Sequence, residues 1–244
     1  VMLTALKITG ICILSVIILY LLLLAISALL VHPGKEYTTN SRFYRFLLNS
    51  STTIALKLIR VRPHSSGMEH LPETGRFLLV CNHRSNYDPI VTWHVLRTSD
   101  LAFISKADNF KIPIWGRLIR KCCFMAIDRE NPKKAFTTIQ NAAHLIQADE
   151  CSVAVYPEGT RSKNLELLPF RHGVFKIAQK AHVPIVVMTI RGTESIYKNI
   201  PFHHTDVYLN IISTISADDV KAHRTSELEQ MIRELMLEDL SHPI

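Results

Sequence analysis

Phe77-Leu78-Leu79-Val80-Cys81 is followed at once by Asn82-His83-Arg84-Ser85-Asn86-Tyr87-Asp88-Pro89. The first five residues are an unbroken apolar run, short enough for a strand buried on both faces. The polar stretch after them reads as a loop, and Pro89 allows a helix to begin there. Strand, polar loop and helix form the repeating unit of layered α/β domains, which expose reactive groups beyond their strand ends.

The alternation continues downstream. Residues 101–104, 122–127, 152–156, 184–190 and 207–215 read as strands. Residues 132–148 carry Ala135, Ile139, Ala142 and Ile146 at helical spacing, 173–181 read as a further helix, and 111–120 as a helical or turn segment. Ser226-x-x-Glu229 has the pattern of a capping box opening a last helix, with Leu228, Met231, Ile232 and Leu235 on its apolar face. The expected fold is an α/β layered domain, with a central mostly parallel or mixed sheet flanked by helices.

Upstream the character changes. Residues 8–31 contain no charged side chain. As a helix they would extend about 36 Å at 1.5 Å per residue, enough for a hydrocarbon layer of about 30 Å. The run is too long for a signal-peptide core. Residues 41–61 place Phe43, Leu47, Ile54, Leu58 and Val61 on one helical face, with Arg42, Arg45, Asn49 and Arg60 largely off it. Such a helix suits either the headgroup layer or an ordinary packed surface. Three regions are expected: a membrane-anchoring helix at 1–33, a basic amphipathic juxtamembrane segment at 34–66, and the layered α/β domain at 67–244.

The net charge of +7 is unevenly placed. Lys7, Lys35, Arg42, Arg45, Lys57, Arg60 and Arg62 face only Glu36 within the first 65 residues, and the rest of the chain is nearly balanced. Basic groups beside an apolar helix are drawn to anionic headgroups, at about 1 kcal/mol each near the surface. By the positive-inside rule the folded domain belongs on the cytoplasmic face of a cell membrane. A nucleic-acid binder would spread such charge over the domain, so no nucleic-acid partner is expected. Five cysteines without a Cys-x-x-Cys pair fit reduced thiols.

His83 and Asp88 lie five apart, which on a regular helix turns them about 140° away from each other. A turn through Ser85 and Asn86 would let them meet. A carboxylate on one imidazole nitrogen fixes the tautomer and leaves the other nitrogen as a base. Against this, Asp-Pro is also an ideal helix start, with Asp as N-cap. Tyr156-Pro157-Glu158-Gly159-Thr160-Arg161-Ser162 follows another strand; Gly159 permits close backbone approach and Arg161 can fork onto a phosphate. Alone, that stretch is also compatible with a polar turn. Ile127-Asp128-Arg129 puts a further cation at a strand end, and Val183-Pro184-Ile185 reads as structural.

In their order, Asn-His-x-Ser-x-x-Asp, Phe-x-x-Ile-Asp-Arg, Tyr-Pro-Glu-Gly-Thr-Arg-Ser and Val-Pro-Ile resemble the glycerolipid acyltransferases, in particular the 1-acyl-glycerol-3-phosphate acyltransferases. The resemblance covers about residues 67–193 and agrees with an apolar N-terminus. It implies that His83 is the general base, oriented and charge-stabilised by Asp88. It implies that Arg129 and the Glu158, Gly159, Thr160, Arg161 stretch hold the phosphate and glycerol of lysophosphatidic acid, with Glu158 anchoring Arg161 or bonding a hydroxyl. Lys106 and Arg171 sit where such proteins often carry basic residues, and Pro184 would shape an acyl-binding face. One position departs from the pattern: the second motif usually opens with Gly, and Cys123 stands there.

The implied reaction transfers an acyl group from acyl-CoA or an acyl carrier protein to the sn-2 hydroxyl, giving phosphatidic acid, with no metal or other cofactor. Three competing readings are a covalent intermediate on Cys81, a different lysolipid headgroup, and a non-catalytic lipid-binding module tethered to the bilayer.

Overall fold

The computed structural model describes residues 2–242. Helix α1 (Met2–Leu29) precedes α2 (Arg42–Leu58) and β1 (Val61–Ser66). Then come β2 (Leu78–Cys81), α3 (Asp88–Val95), β3 (Leu101–Lys106), α4 (Trp115–Lys121), β4 (Met125–Ile127), α5 (Pro132–Gln147) and β5 (Ser152–Val155). The chain continues through α6 (Lys176–Ala181), β6 (Ile185–Arg191), α7 (Ile196–Asn199), β7 (Thr205–Ile215), α8 (Ala217–Ala222) and α9 (Thr225–Ser241).

The strands make one seven-stranded sheet in the order β1-β7-β6-β2-β5-β3-β4. All neighbours are parallel except β6 and β7. The sheet is therefore mixed, as the sequence pattern predicts. Successive residues of β2 face opposite sides, and all four are buried. Leu79 and Cys81 join one core with Leu47, Leu48, Val91, Trp93 and Leu118; Leu78 and Val80 join the other with Ile139, Ile146, Ile177, Leu228 and Ile232. Helices α2, α3 and α4 thus cover one face, and α5, α6 and α9 the other.

Three expectations need correction. Residues 61–66 are not part of a juxtamembrane segment: they form β1, paired with β7 in register Val61↔Thr205. Pro63 and the polar run hide this strand, and Pro is tolerated because β1 is an edge strand. Gly67 then turns away at φ +67, where an added Cβ would lie 2.0 Å from the Ile211 carbonyl oxygen. The last helix begins two residues early: Arg224 precedes α9, and its N–H is capped by the Glu227 carboxylate at 2.6 Å, not by a Ser226–Glu229 box.

The third correction concerns α2, whose apolar residues divide between two faces. Leu47, Leu48 and Leu56 are buried on the domain, while Phe43, Phe46, Ile54 and Leu58 are exposed. Arg45 is also buried, so it is unavailable to lipid headgroups. It donates to the carbonyls of Leu101 and Asp100 at 3.0 Å each, lies 3.0 Å from Cys151 Sγ, and stacks over Trp93. It thereby ties α2 to the amino ends of β3 and β5.

Helix α1 is long and apolar enough to cross a membrane. Only its last turns dock: Leu24, Ser27 and Ala28 are buried, Tyr20 Oη meets Ser50 Oγ at 2.7 Å, and Tyr44 donates to the Ser27 carbonyl at 3.0 Å.

Replacing Arg45 with Met strands two carbonyls, so Arg45→Met should destabilise the domain by about 3 kcal/mol. Urea unfolding in detergent measures this, and a loss below about 1 kcal/mol would show that the side chain is dispensable.

Candidate active site

The loop after β2 closes around one carboxylate. Asp88 is fully buried, and its Oδ2 accepts from His83 Nδ1 and from the backbone N–H groups of Arg84 and Ser85, at 2.7 Å each. Its Oδ1 accepts from the Thr193 hydroxyl at 2.5 Å. None of these donors belongs to the first turn of α3, so Asp88 is not spent as a helix cap. The turn through Ser85 and Asn86 does bring His83 and Asp88 together.

With Nδ1–H donated to Asp88, His83 Nε2 carries the free lone pair. It has no hydrogen-bond partner among the described residues, and the side chain is 16% exposed. The ring stacks on Tyr156 at 4.3 Å and 20°. The backbone is clamped as well: His83 N–H donates to Glu158 Oε1 at 2.6 Å, and the His83 carbonyl accepts from Ser162 N–H at 2.9 Å. Asn82 fixes the loop to β6 through both amide atoms, accepting from Ile190 N–H at 2.8 Å and donating to its carbonyl at 3.0 Å.

Glu158 does not bond Arg161 here; both of its oxygens accept from backbone N–H groups. Its second oxygen accepts from Leu168 N–H at 3.0 Å, and the side chain is buried. Burial pushes its carboxyl above the usual range, against the two backbone donors that pull it down. Glu158 is therefore a strut between two loops.

The basic residues separate into two kinds. Arg129 follows β4, and Arg171 is held beside the loop after β5 by its N–H to the Pro157 carbonyl at 2.8 Å. Burial first, then the nearby charge of Arg171, lowers the Arg129 guanidinium from its ordinary value. Like charges kept close, with no ion pair to either among the described residues, have the chemistry to hold an anion. Gly159 makes room for the Arg171 side chain: at φ +69, an added Cβ would stand 2.8 Å from Arg171 Nε. Thr160 and Arg161 are exposed on the same loop. Lys106 also ends a strand at this edge but is engaged with Asp108 at 2.6 Å, so it is not a free cation.

The remaining sequence features have local explanations. Cys123 has φ +63, a conformation that favours Gly, which accounts for the usual residue at that position. Cys81 is buried, and burial, followed by Asp88 and Glu158, pushes its thiol well above the ordinary range. A thiolate nucleophile is disfavoured there. Thr193, Asn82 and Tyr156 were missed as site residues. Asn82 and Tyr156 lay inside the quoted motifs, but only the pairing of β2 with β6 and β5 shows what they touch.

His83, Asp88, Arg129, Arg161, Arg171 and Thr193 all lie at the carboxyl edge of the parallel strands, where open α/β sheets bind ligands. An oriented imidazole on the same sheet edge as guanidinium groups that make no ion pair among the described residues is an arrangement suited to taking a proton from a hydroxyl of an anionic molecule. The particular family follows from comparison: the acyltransferase family model matches residues 62–191, more than half of the chain. This chain belongs to the acyltransferase family.

The 1-acyl-sn-glycerol-3-phosphate acyltransferase of Cocos nucifera is 29% identical over 168 residues, covering 68% of this chain and 54% of that protein. The Escherichia coli K12 protein of the same name is 29% identical over 169 residues, covering 66% and 69%. The mouse alpha form is 27% identical over 227 residues, covering 90% and 76%. This chain thus spans little more than half of the coconut protein. The crystal structure of the 1-acyl-sn-glycerophosphate acyltransferase PlsC from Thermotoga maritima shares the fold, with a TM-score of 0.65, 23% identity and 82% of each chain covered.

Thr193→Val leaves Asp88 Oδ1 without its hydroxyl donor and loosens the imidazole. Expected is a fall in kcat of about tenfold, one lost hydrogen bond to a charged group, with acceptor KM unchanged and recovery in Thr193→Ser. Equal kcat for the Val form would remove Thr193 from the positioning network. Gly159→Ala should instead displace Arg171 and raise the acceptor KM more than it lowers kcat. Steady-state kinetics at varied acceptor concentration separates the two effects.

Proposed function

We propose that this protein transfers a fatty acyl group from an acyl thioester to the sn-2 hydroxyl of lysophosphatidic acid, forming phosphatidic acid. The observation that carries the reading is the free Nε2 of an Asp88-oriented His83 at the same sheet edge as Arg129 and Arg171. The names of the relatives point the same way.

In this mechanism Arg129, Arg171 and Arg161 hold the phosphomonoester of the acceptor. His83 Nε2 takes the hydroxyl proton as the oxygen attacks the thioester carbonyl, and Asp88 stabilises the imidazolium that forms. The tetrahedral oxyanion collapses, the carbon–sulfur bond breaks, and the imidazolium returns its proton to the leaving thiolate. The thioester brings its own activated carbonyl, so the scheme assigns no metal or cofactor. Acyl-CoA and an acyl carrier protein are both chemically competent donors. In this reading helix α1 inserts in a cell membrane, and the excess of basic residues after it supports a cytoplasmic position for the catalytic domain. An acceptor then reaches the site without fully leaving the bilayer.

The test is transfer of labelled acyl groups, from acyl-CoA and from acyl carrier protein, to lysophosphatidic acid in liposomes. Wild type should make phosphatidic acid, and folded His83→Ala should be about 10²–10⁴-fold slower, the usual contribution of a general base. Equal rates would overturn the assignment of His83. No transfer by wild type to any lysolipid would overturn the activity itself.

A further inference from the structure

A cleft of about 530 Å³ opens between α2 and the turn that joins α3 to β3. It is an open groove and not an enclosed cavity. Arg42, Phe46 and Ile54 line it from α2, with Arg97 and Asp100 opposite and Arg45 as the floor. Asp100 precedes β3, and Arg45 reaches the amino ends of β3 and β5, so the cleft sits at the amino edge of the sheet. His83 follows β2 at the opposite edge. None of the residues assigned to acyl transfer above lines this cleft.

Its charge is not internally balanced. The one acid, Asp100, is neutralised by Arg45 at 3.2 Å and Arg76 at 3.5 Å. Arg42 and Arg97 are exposed and make no ion pair among the described residues. The field is felt next door: His94, bonded to Thr53 of the cleft wall at 3.2 Å, is lowered by burial and then by Arg97 and Lys57. A polar atom in the wall is also unsatisfied, since Asn49 Oδ1 is buried without a partner.

The other end of the cleft is apolar. Phe46 is 62% exposed and Ile54 is 45% exposed, and they continue into exposed Phe43 and Leu58 on the same helix. Ser50, also in the wall, is bonded to Tyr20 of α1. Cations at one end, uncovered apolar surface at the other and a membrane-length helix alongside together match an amphiphilic anion better than a soluble one.

We propose that this cleft binds an anionic bilayer phospholipid, with its phosphate between Arg42 and Arg97 and its chains along Phe46 and Ile54 beside α1. The lipid would hold α2 against the bilayer at a place separate from the catalytic edge. This requires α1 to be in the membrane but does not depend on which reaction is catalysed.

Native mass spectrometry of the full chain released from detergent micelles tests it, with phosphatidylglycerol titrated against phosphatidylcholine. All forms carry Arg129→Gln and Arg171→Gln, so that lipid held at the catalytic edge does not contribute. The expected result is one retained phosphatidylglycerol per chain, bound about thirtyfold more weakly once Arg42→Gln and Arg97→Gln are added, as the loss of two interfacial charges predicts. Arg60→Gln with Arg62→Gln, basic positions outside the cleft, should leave binding unchanged. Circular dichroism checks that every form is folded. Equal binding with and without Arg42 and Arg97, or equal loss in the Arg60 and Arg62 pair, would overturn the site. Inorganic phosphate displacing the lipid at matching concentrations would overturn its assignment to a lipid.

Discussion

One buried carboxylate organises the catalytic end of this molecule. Asp88 gathers an imidazole N–H, two backbone N–H groups and a threonine hydroxyl. A lone ionised carboxylate in such a place would be very costly, and four donors make it tolerable. The same four bonds fold the loop after β2, orient His83, and tie that loop to the turn after β6. Because the donors come from separate elements, the imidazole is positioned only when the sheet is assembled. Glu158 repeats the device on the neighbouring loop, where its two oxygens join the His83 and Leu168 backbones.

What could be read from the sequence was what is local. β2 showed itself because a strand buried on both faces must be apolar throughout, and α5 because its buried residues recur at helical spacing. The His83–Asp88 pair was open to two readings, since Asp before Pro serves a helix cap equally well. The donors to Asp88 decide between them, and one of those donors, Thr193, lies 105 residues further along the chain. Strand order is what makes that contact, and no periodicity encodes strand order. β1 is hidden for a related reason: with Pro63 and a run of polar residues, its strand character comes from pairing with β7 and not from its own composition.

Helix α2 shows how a composition can mislead about use. Its arginines suggested a uniform attraction to lipid, yet Arg45 points inward and holds the amino edge of the sheet together. Its apolar residues form two surfaces, one for the core and one left uncovered. The helix is thus a joint between the folded domain and the apolar α1, and both neighbours constrain its orientation.

The pairing of β1 with β7 has a consequence for biosynthesis. Residues 61–66 leave the ribosome long before their partner at 205–215 exists. The first strand of the sheet therefore waits, unpaired, while nearly all of the catalytic domain is made, and such a delay exposes an edge to wrong partners. Its short length, Pro63 and exposed polar side chains make it a poor template for aggregation during that interval. The strand that looks least like a strand is the one that has to remain harmless the longest.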